Sequence, residues 1–346
     1  MKTLSPLSVL VGGEALFDFF STDIGAGLRG STGFEKRVGG SPLNIAVGIR
    51  RLNVPVSYVG KLGVDYFGEA LIDFLKWESI NVENVIREEG TKTILVFVAV
   101  DKRGKPEFCF YRDNAADVSL RSDELSKVQT ESFSLFHCGG IVLANEPAAS
   151  TYLSLADRFI AQQVPVSLDP TVRKSLILDV ECYLTFLRKL ISKVTILKVS
   201  DEELQFLTGI TGNYDEAIKV LPTREDALVF VTLGEAGSSV YRGGIKIVHT
   251  PGFPVQVVET TGCGDSFMAT ILAQLAGKSA VELAALGEKE LTTIMRFSNA
   301  AAAIVATRIG AAEANPTRDE VEKFLVNVGE LQDGCIGFTT NNAETT

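Results

Sequence analysis

The chain has 346 residues, 46% of them hydrophobic, 22% charged and 8% aromatic. That is a globular composition, which excludes disorder, collagen and coiled coil as the main architecture. Lys plus Arg number 33 against 43 Asp plus Glu, a net charge of −10. With no basic block in it, such a chain is poorly suited to nucleic acid or an anionic membrane. The five cysteines (Cys109, Cys138, Cys182, Cys263, Cys335) are scattered, without a C-x-x-C pair. With no signal-peptide pattern and no run of ~20 apolar residues, the reading is a soluble protein of a reducing cytoplasm.

In chain order, residues 8–13 (SVLVGG) form a short apolar run ending in glycines, the pattern of a buried strand. Residues 17–38 are mixed and lack a helical period. Leu43, Ile45, Ala46, Ile49 and Leu52 fall at helical spacing, VSYVGKLG reads as strand, and residues 66–77 as helix. Residues 93–100 and 107–112 are β-rich runs around a turn at residues 101–104, a hairpin pattern. From about residue 115 strand and helix alternate: LFHCGGIVL strand, 148–162 helix, VPVSLDP strand, 180–193 helix, VTILKVS strand, 201–208 helix, ALVFVTLG strand. Alternation of this kind predicts an α/β protein, a mostly parallel sheet covered by helices on both faces. The segments at about 17–38 and 92–113 interrupt it and are expected to pair as a small β-sheet lid. The domain expected is therefore residues 1–330 with those insertions, followed by a polar tail at 331–346.

Two nucleotide signatures fail on context. GAGLRG (25–30) does not directly follow the first strand or open a helix, so it is not a dinucleotide fingerprint. Gly277-Lys278-Ser279 lacks the earlier P-loop glycine, which is Leu272 here. The only histidines, His137 and His249, are read as structural.

The informative segment is VVETTGCGDSFMATILAQL (257–275), read as an apolar strand end, two glycines and a buried helix. Glycines at a helix N-terminus let backbone amides converge on an anion, and the helix dipole adds positive potential. Asp265 beside that hole would repel a bound anion. It makes sense as a base that takes an alcohol's proton while the hole stabilises a transferring phosphoryl group. A plain helix cap is the bland alternative. Val38-Gly39-Gly40-Ser41-Pro42-Leu43-Asn44 also opens a helix, with Asn44 able to donate to and accept from a hydroxyl. Thr232 and Gly234 sit at a strand C-terminus, where open α/β sheets bind ligands.

Together these segments resemble the ribokinase-like carbohydrate kinases (the PfkB family) from about residue 8 to 326. GGSPLNIAVGIRRLNVPVSYVGKLGVDYFG is similar to the family's first signature and ETTGCGDSF to its second. The resemblance implies a three-layer α/β/α core with a small β lid, and transfer of the ATP γ-phosphoryl group to a sugar hydroxyl with Mg²⁺. It implies Asp265 as base and the amides of Gly262, Cys263 and Gly264 as anion hole. Asp18, Gly39, Gly40 and Asn44 would hold the sugar; Lys198, Thr232, Gly234, Gly237, Gly262, Gly264, Asn299 and Ala302 would line the nucleotide site. Glu203 in KVSDEEL would organise Mg²⁺ through water, although Ser200 replaces the family's Asn. Glu259 and Thr261 stand where several members shape a K⁺ site, with Glu259 replacing the usual Asp.

FYRDNAAD (110–117) and DPTVR (169–173) look most like fructokinases, with Arg112, Asp169 and Arg173 expected at the substrate. A kinase for 2-keto-3-deoxygluconate also fits, since Arg112 could pair with its carboxylate. A catalytically silent sugar-binding regulator is the alternative outside the enzymes. The resemblance also implies a homodimer formed through the lid.

Overall fold

The computed structural model describes residues 8–102 and 106–329. The 331–346 tail, Cys335 and the Arg103-Gly104 half of the expected turn lie outside the described residues.

The strands are β1 (Val9–Gly12), β2 (Leu16–Ser21), β3 (Phe34–Gly39), β4 (Val56–Gly63), β5 (Asn81–Glu88), β6 (Ile94–Val100), β7 (Pro106–Tyr111), β8 (Leu135–Gly139), β9 (Val166–Asp169), β10 (Ile196–Ser200), β11 (Leu228–Thr232), β12 (Ser238–Arg242) and β13 (Ile245–Thr250). The helices are α1 (Gly27–Gly30), α2 (Ser41–Arg51), α3 (Tyr66–Trp77), α4 (Ala148–Ala161), α5 (Val180–Ile191), α6 (Asp201–Thr208), α7 (Tyr214–Val220), α8 (Cys263–Leu275), α9 (Ala280–Ala284), α10 (Glu288–Ala306) and α11 (Arg318–Asn327).

Nine strands form one sheet in the order β13-β12-β11-β10-β9-β8-β1-β4-β5, parallel from β5 to β11 and antiparallel only at the β11–β12–β13 edge. The inner parallel strands such as β1 and β11 are apolar on both faces, because helices cover both. In β1, Val9 and Val11 pack into a cluster with α2, α3, α8 and α10, while Leu10 packs into another with α4, α5, α6 and α7. The chain leaves β1 towards β4 on one side and later returns to pair β8 on the other. Such a switch opens a crevice outside the strands' C-terminal ends.

Over that crevice lies a second sheet of four strands, ordered β3-β2-β6-β7. It is built from the two segments that broke the α/β rhythm, joined by parallel pairing of β2 with β6. Leu16, Asp18 and Phe20 face inward, whereas Phe19 stacks on Phe97 on the outer face, 5.0 Å between ring centres.

Several expectations shift. GAGLRG does contain a helical turn, α1, although a four-residue one. LFHCGGIVL is strand only to Gly139; a 3₁₀ turn, Ile141–Ala144, follows. Residues 257–259 are not a strand end: Val257 and Val258 are exposed, and the Val258 and Glu259 amides donate to Ala306 O. Strand β5 and the β12–β13 hairpin are additional; the polar, half-buried NVENVIRE carries little strand signal. Ser279, at the segment already excluded as a P-loop, caps α9. His137 is buried, with Nδ1 3.0 Å from Ser167 Oγ, and burial, with Lys198 nearby, drives its pKa down to about 3. His249 Nδ1 lies 3.0 Å from Ser239 Oγ. Among the described residues Cys109, Cys138, Cys182 and Cys263 are free thiols, and no helix is long and apolar enough to cross a membrane.

Candidate active site

A cavity of about 1000 Å³ lies between the small sheet and the C-terminal ends of the large one. Its lining includes Asp18, Gly40, Ser41, Asn44, Arg173, Lys198, Glu203, Glu259, Thr261, Gly262, Gly264 and Asp265. Eleven of these twelve were expected from the sequence; Ser41 was not singled out.

At the centre is the start of α8. Gly262 is its N-cap, with φ +82°, and a Cβ there would lie 2.9 Å from Ala311 Cα. The turn therefore needs glycine both for its left-handed backbone and for the close approach. The Cys263 amide donates to Thr260 O at 3.2 Å, which corrects the expected three-amide hole. The amides of Gly262 and Gly264 remain at a helix start that offers them no i−4 carbonyl. Burial, then the Asp265 and Glu259 carboxylates, push the Cys263 thiol up to about 12, so it is no nucleophile.

Asp265, in the first turn, is held by α2. Ser41 Oγ donates to Asp265 Oδ1 at 2.6 Å and Asn44 Nδ2 donates to Oδ2 at 2.8 Å. Among the described residues Asn44 Oδ1 is buried without a partner, an acceptor left open for a ligand donor.

Asp18 comes from β2, beside Gly39 of β3. A Cβ on Gly39 would stand 2.0 Å from Asp18 Oδ2, so the glycine makes the space the carboxylate fills. Burial pushes the Asp18 carboxyl up to about 7; Arg173 opposes this, and the Glu259, Glu313 and Asp265 carboxylates reinforce it. A carboxyl poised near neutrality can both accept from and donate to sugar hydroxyls. Glu14, also in the lining, accepts from the Val142 amide at 3.2 Å. Its carboxyl is likewise pushed up to about 7 by burial, against the pull of Arg112.

Lys198 on β10 lines the cavity with its ammonium 3.0 Å from Asp169 Oδ2 and 3.9 Å from Glu203 Oε2. Burial works against its charge, but Asp169, Glu203 and Asp265 outweigh that and hold the ammonium protonated. Asp169 itself does not line the cavity; it is fully buried as the partner of Lys198. Glu203 closes a capping box: its Oε2 accepts from Ser200 N at 2.8 Å, and its Oε1 from Val172 N at 3.0 Å. It is buried, whereas its neighbour Glu202 is exposed. Among the described residues no group of three His, Cys, Asp or Glu is placed to hold a metal directly.

Arg112 is not at the cavity wall. Its guanidinium forms a buried pair with Asp117 and donates to Asn145 Oδ1 at 2.7 Å. Glu259 accepts from the Gly310 amide at 3.0 Å and has Arg37 at 3.6 Å. With that cation beside it, the pair Glu259 and Thr261 does not fit a potassium ion as placed.

Five of the residues expected at the nucleotide, Thr232, Gly234, Gly237, Asn299 and Ala302, also lie outside the cavity. Asn299 on α10 spends its amide on Thr250 and Pro251 and accepts from Ser238 Oγ at 2.9 Å. Gly237, at φ +93°, backs directly onto Thr250 O. Thr232 ends β11, Gly234 begins the 3₁₀ turn after it, and Ala302 packs against the core. Ser41 and Thr171 were missed for want of a local signal, since their partners come from other elements.

Compared with known proteins, the sequence matches the pfkB family carbohydrate kinases over residues 7–318. The chain therefore belongs to that family, whose members are ATP-dependent carbohydrate kinases. More particularly it is similar to fructokinases. It is 38% identical over 313 residues to "Probable fructokinase-4" of Arabidopsis thaliana, covering 90% of this chain and 95% of the relative. In three dimensions it is similar to the ATP-bound fructokinase of Xylella fastidiosa, with a TM-score of 0.84 and 28% identity over 94% of this chain and 99% of that one. A fructokinase double mutant of Vibrio cholerae, bound to fructose, ADP and a potassium ion, gives a TM-score of 0.79 and 26% identity over 94% and 100%.

Proposed function

We propose that this kinase phosphorylates fructose at its primary C6 hydroxyl, with Asp265 as the general base. The observation that carries the reading is the position of Asp265: it shares one cavity with Asp18 and Asn44 on the sugar side and with Gly262, Gly264 and Lys198 on the phosphate side. The hydroxyl proton passes to the Asp265 carboxylate as the hydroxyl oxygen attacks the γ-phosphorus. The bond from that phosphorus to the bridging oxygen of ADP breaks. The amides of Gly262 and Gly264 and the Lys198 ammonium face the charge that builds on the transferring group, because phosphoryl transfer is mainly positioning and electrostatics.

Cation placement favours a neutral sugar over a sugar acid. The lining carries Glu14, Asp18, Asp23, Glu203, Glu259 and Asp265 against Arg37, Arg173 and Lys198. Arg37 already faces Glu35 and Glu259, Lys198 faces Asp169, and Arg112 is locked on Asp117. Arg173 is left for the phosphoryl groups, with a planar fork that suits them.

Both oxygens of Glu203 accept from backbone amides, so it would hold a magnesium ion through the ion's waters, with the ATP phosphates as direct ligands. When bound, the ion would neutralise phosphate charge. The reading includes no potassium ion, given Arg37 beside Glu259. The adenosine end of ATP would run over the Gly234–Ala236 turn towards α10, where Asn299 fixes the 250–251 wall. The small sheet would act as a lid over the sugar, excluding water. A homodimer through the outer face of that sheet, where Tyr111 is 62% exposed, is part of the same proposal, with sedimentation as its check.

The test of the base is Asp265→Asn, assayed for sugar-dependent ADP formation. Its kcat should fall by about 10²–10⁴-fold with the melting temperature preserved. Near-normal turnover by the folded variant would remove Asp265 from the mechanism.

A further inference from the structure

The base does not stand alone. Ser41 Oγ, which donates to Asp265 Oδ1, itself accepts from Thr171 Oγ1 at 3.1 Å. The two bonds share one polarity: Thr171 hydroxyl to Ser41 hydroxyl to Asp265 carboxylate. Hydrogen bonds aligned in this way polarise one another, most strongly where an ionised acceptor ends the chain. All three residues line the cavity.

Thr171 is held there against its own backbone preference. Its φ is +44°, a left-handed region that β-branched residues avoid. The neighbouring residues explain what over-determines it. Asp169, two residues earlier, is paired with Lys198, and the Val172 amide, one residue later, is taken by Glu203 Oε1. The turn is thus anchored on both sides by the buried ion cluster at the phosphate end, and the Thr171 hydroxyl is directed at α2.

We infer that Ser41 and Thr171 are positioning residues for the base, and that the 169–172 turn couples the setting of Asp265 to the Asp169–Lys198–Glu203 cluster. The inference rests on the reading of Asp265 as base. Asn44 fixes one carboxylate oxygen and Ser41 the other, so the plane of the carboxylate is set before the sugar enters. Thr171 fixes the rotor of Ser41, which would otherwise be free to turn its hydroxyl to another acceptor. Neither hydroxyl takes the substrate's proton; both decide where the oxygen that takes it points.

The test is a mutant cycle on kcat and sugar KM, with melting temperatures measured alongside. Ser41→Ala should lower kcat by about 10- to 100-fold, the range expected when an aligned charge-assisted bond or an ångström of placement is lost. Thr171→Val, which keeps shape and branching, should lower kcat by about 3- to 10-fold, and Thr171→Ser should restore it. Melting temperatures and KM should move little. The Ser41→Ala/Thr171→Val double variant should match Ser41→Ala within about twofold, since Thr171 acts only through Ser41. Additive losses, or a Ser41→Ala variant with unchanged kcat, would overturn the positioning role while leaving Asp265 as base. In an Asp265→Asn background the Ser41→Ala loss should disappear. Near-normal turnover of Asp265→Asn alone would instead remove the base itself, and this inference with it.

Discussion

Two buried ion pairs flank the cavity, and they have opposite fates. Arg112 and Asp117 sit beneath it, closed off, with the remaining guanidinium donors turned to Asn145 and the Ile141 carbonyl. Lys198 lines it, with Asp169 buried behind the ammonium. Both pairs follow the same electrostatic rule: a charge taken out of water needs a counter-charge. They differ in chemistry. A guanidinium with its planar fork satisfied becomes a rivet, whereas a compact ammonium held closely by Asp169, with Glu203 farther off at 3.9 Å, would keep a donor for an incoming phosphate. A basic residue in a promising motif is therefore no guide to function until its partners are known.

The largest effect expected from this contrast is structural. Arg112→Met leaves Asp117 buried without its partner and should cost about 3–5 kcal/mol of stability, read as a fall in denaturant midpoint. The folded fraction should keep its sugar KM within a few-fold. A large rise in KM with stability intact would make Arg112 a substrate contact instead.

Lys198→Met also strands a buried carboxylate, Asp169, and should cost stability too, but its folded fraction should in addition lose kcat by roughly 10²-fold, the usual loss for a donor to developing charge. If kcat held while stability fell, the two pairs would be equivalent rivets.

Next in size is a pH effect at Glu14, a lining acid within the field of Arg112. Burial raises the Glu14 carboxyl from its ordinary value of 4.5 to about 7. Its protonated form is favoured in the fold, so the stability associated with it is full below the unfolded value near 4.5 and is lost as pH rises through about 7. Relative to Glu14→Gln, the wild type should therefore lose on the order of 2–3 kcal/mol between pH 4.5 and pH 8, by chemical denaturation. A difference that does not vary with pH would mean that Glu14 is already ionised beside Arg112.

The smallest effect belongs to the open side: Gly39→Ala pushes a methyl into the Asp18 carboxylate and should raise the sugar KM about tenfold. Unchanged KM would detach Asp18 from the sugar.

What could be read from the sequence follows from the range of the interactions. Strand β1 and the α8 start were legible because their signals are local: an unbroken apolar run buried on both faces, and glycines before a helix carrying an acid. The small sheet was legible as a break in the α/β rhythm. Its parallel β2–β6 pairing was not, because the strands come from distant segments. Strand β5 was missed because its half-buried positions admit polar side chains. At the site, Asp265 could be singled out, but its bond to Ser41 spans 224 residues and leaves no local trace. Arg112 misled for the same reason in part: Asp117 is five residues away in plain sight, but Asn145 joins only through the fold.

The measurement closest to the central claim compares fructose with 2-keto-3-deoxygluconate as acceptors in one coupled ADP assay with MgATP. A cavity in which Arg37 and Lys198 face carboxylates and Arg173 is assigned to the phosphoryl groups should give fructose-dependent turnover with kcat/KM at least about 100-fold above that for the sugar acid. Preferred turnover of the sugar acid would contradict the account, because a cation would then have to be free for the acid's carboxylate.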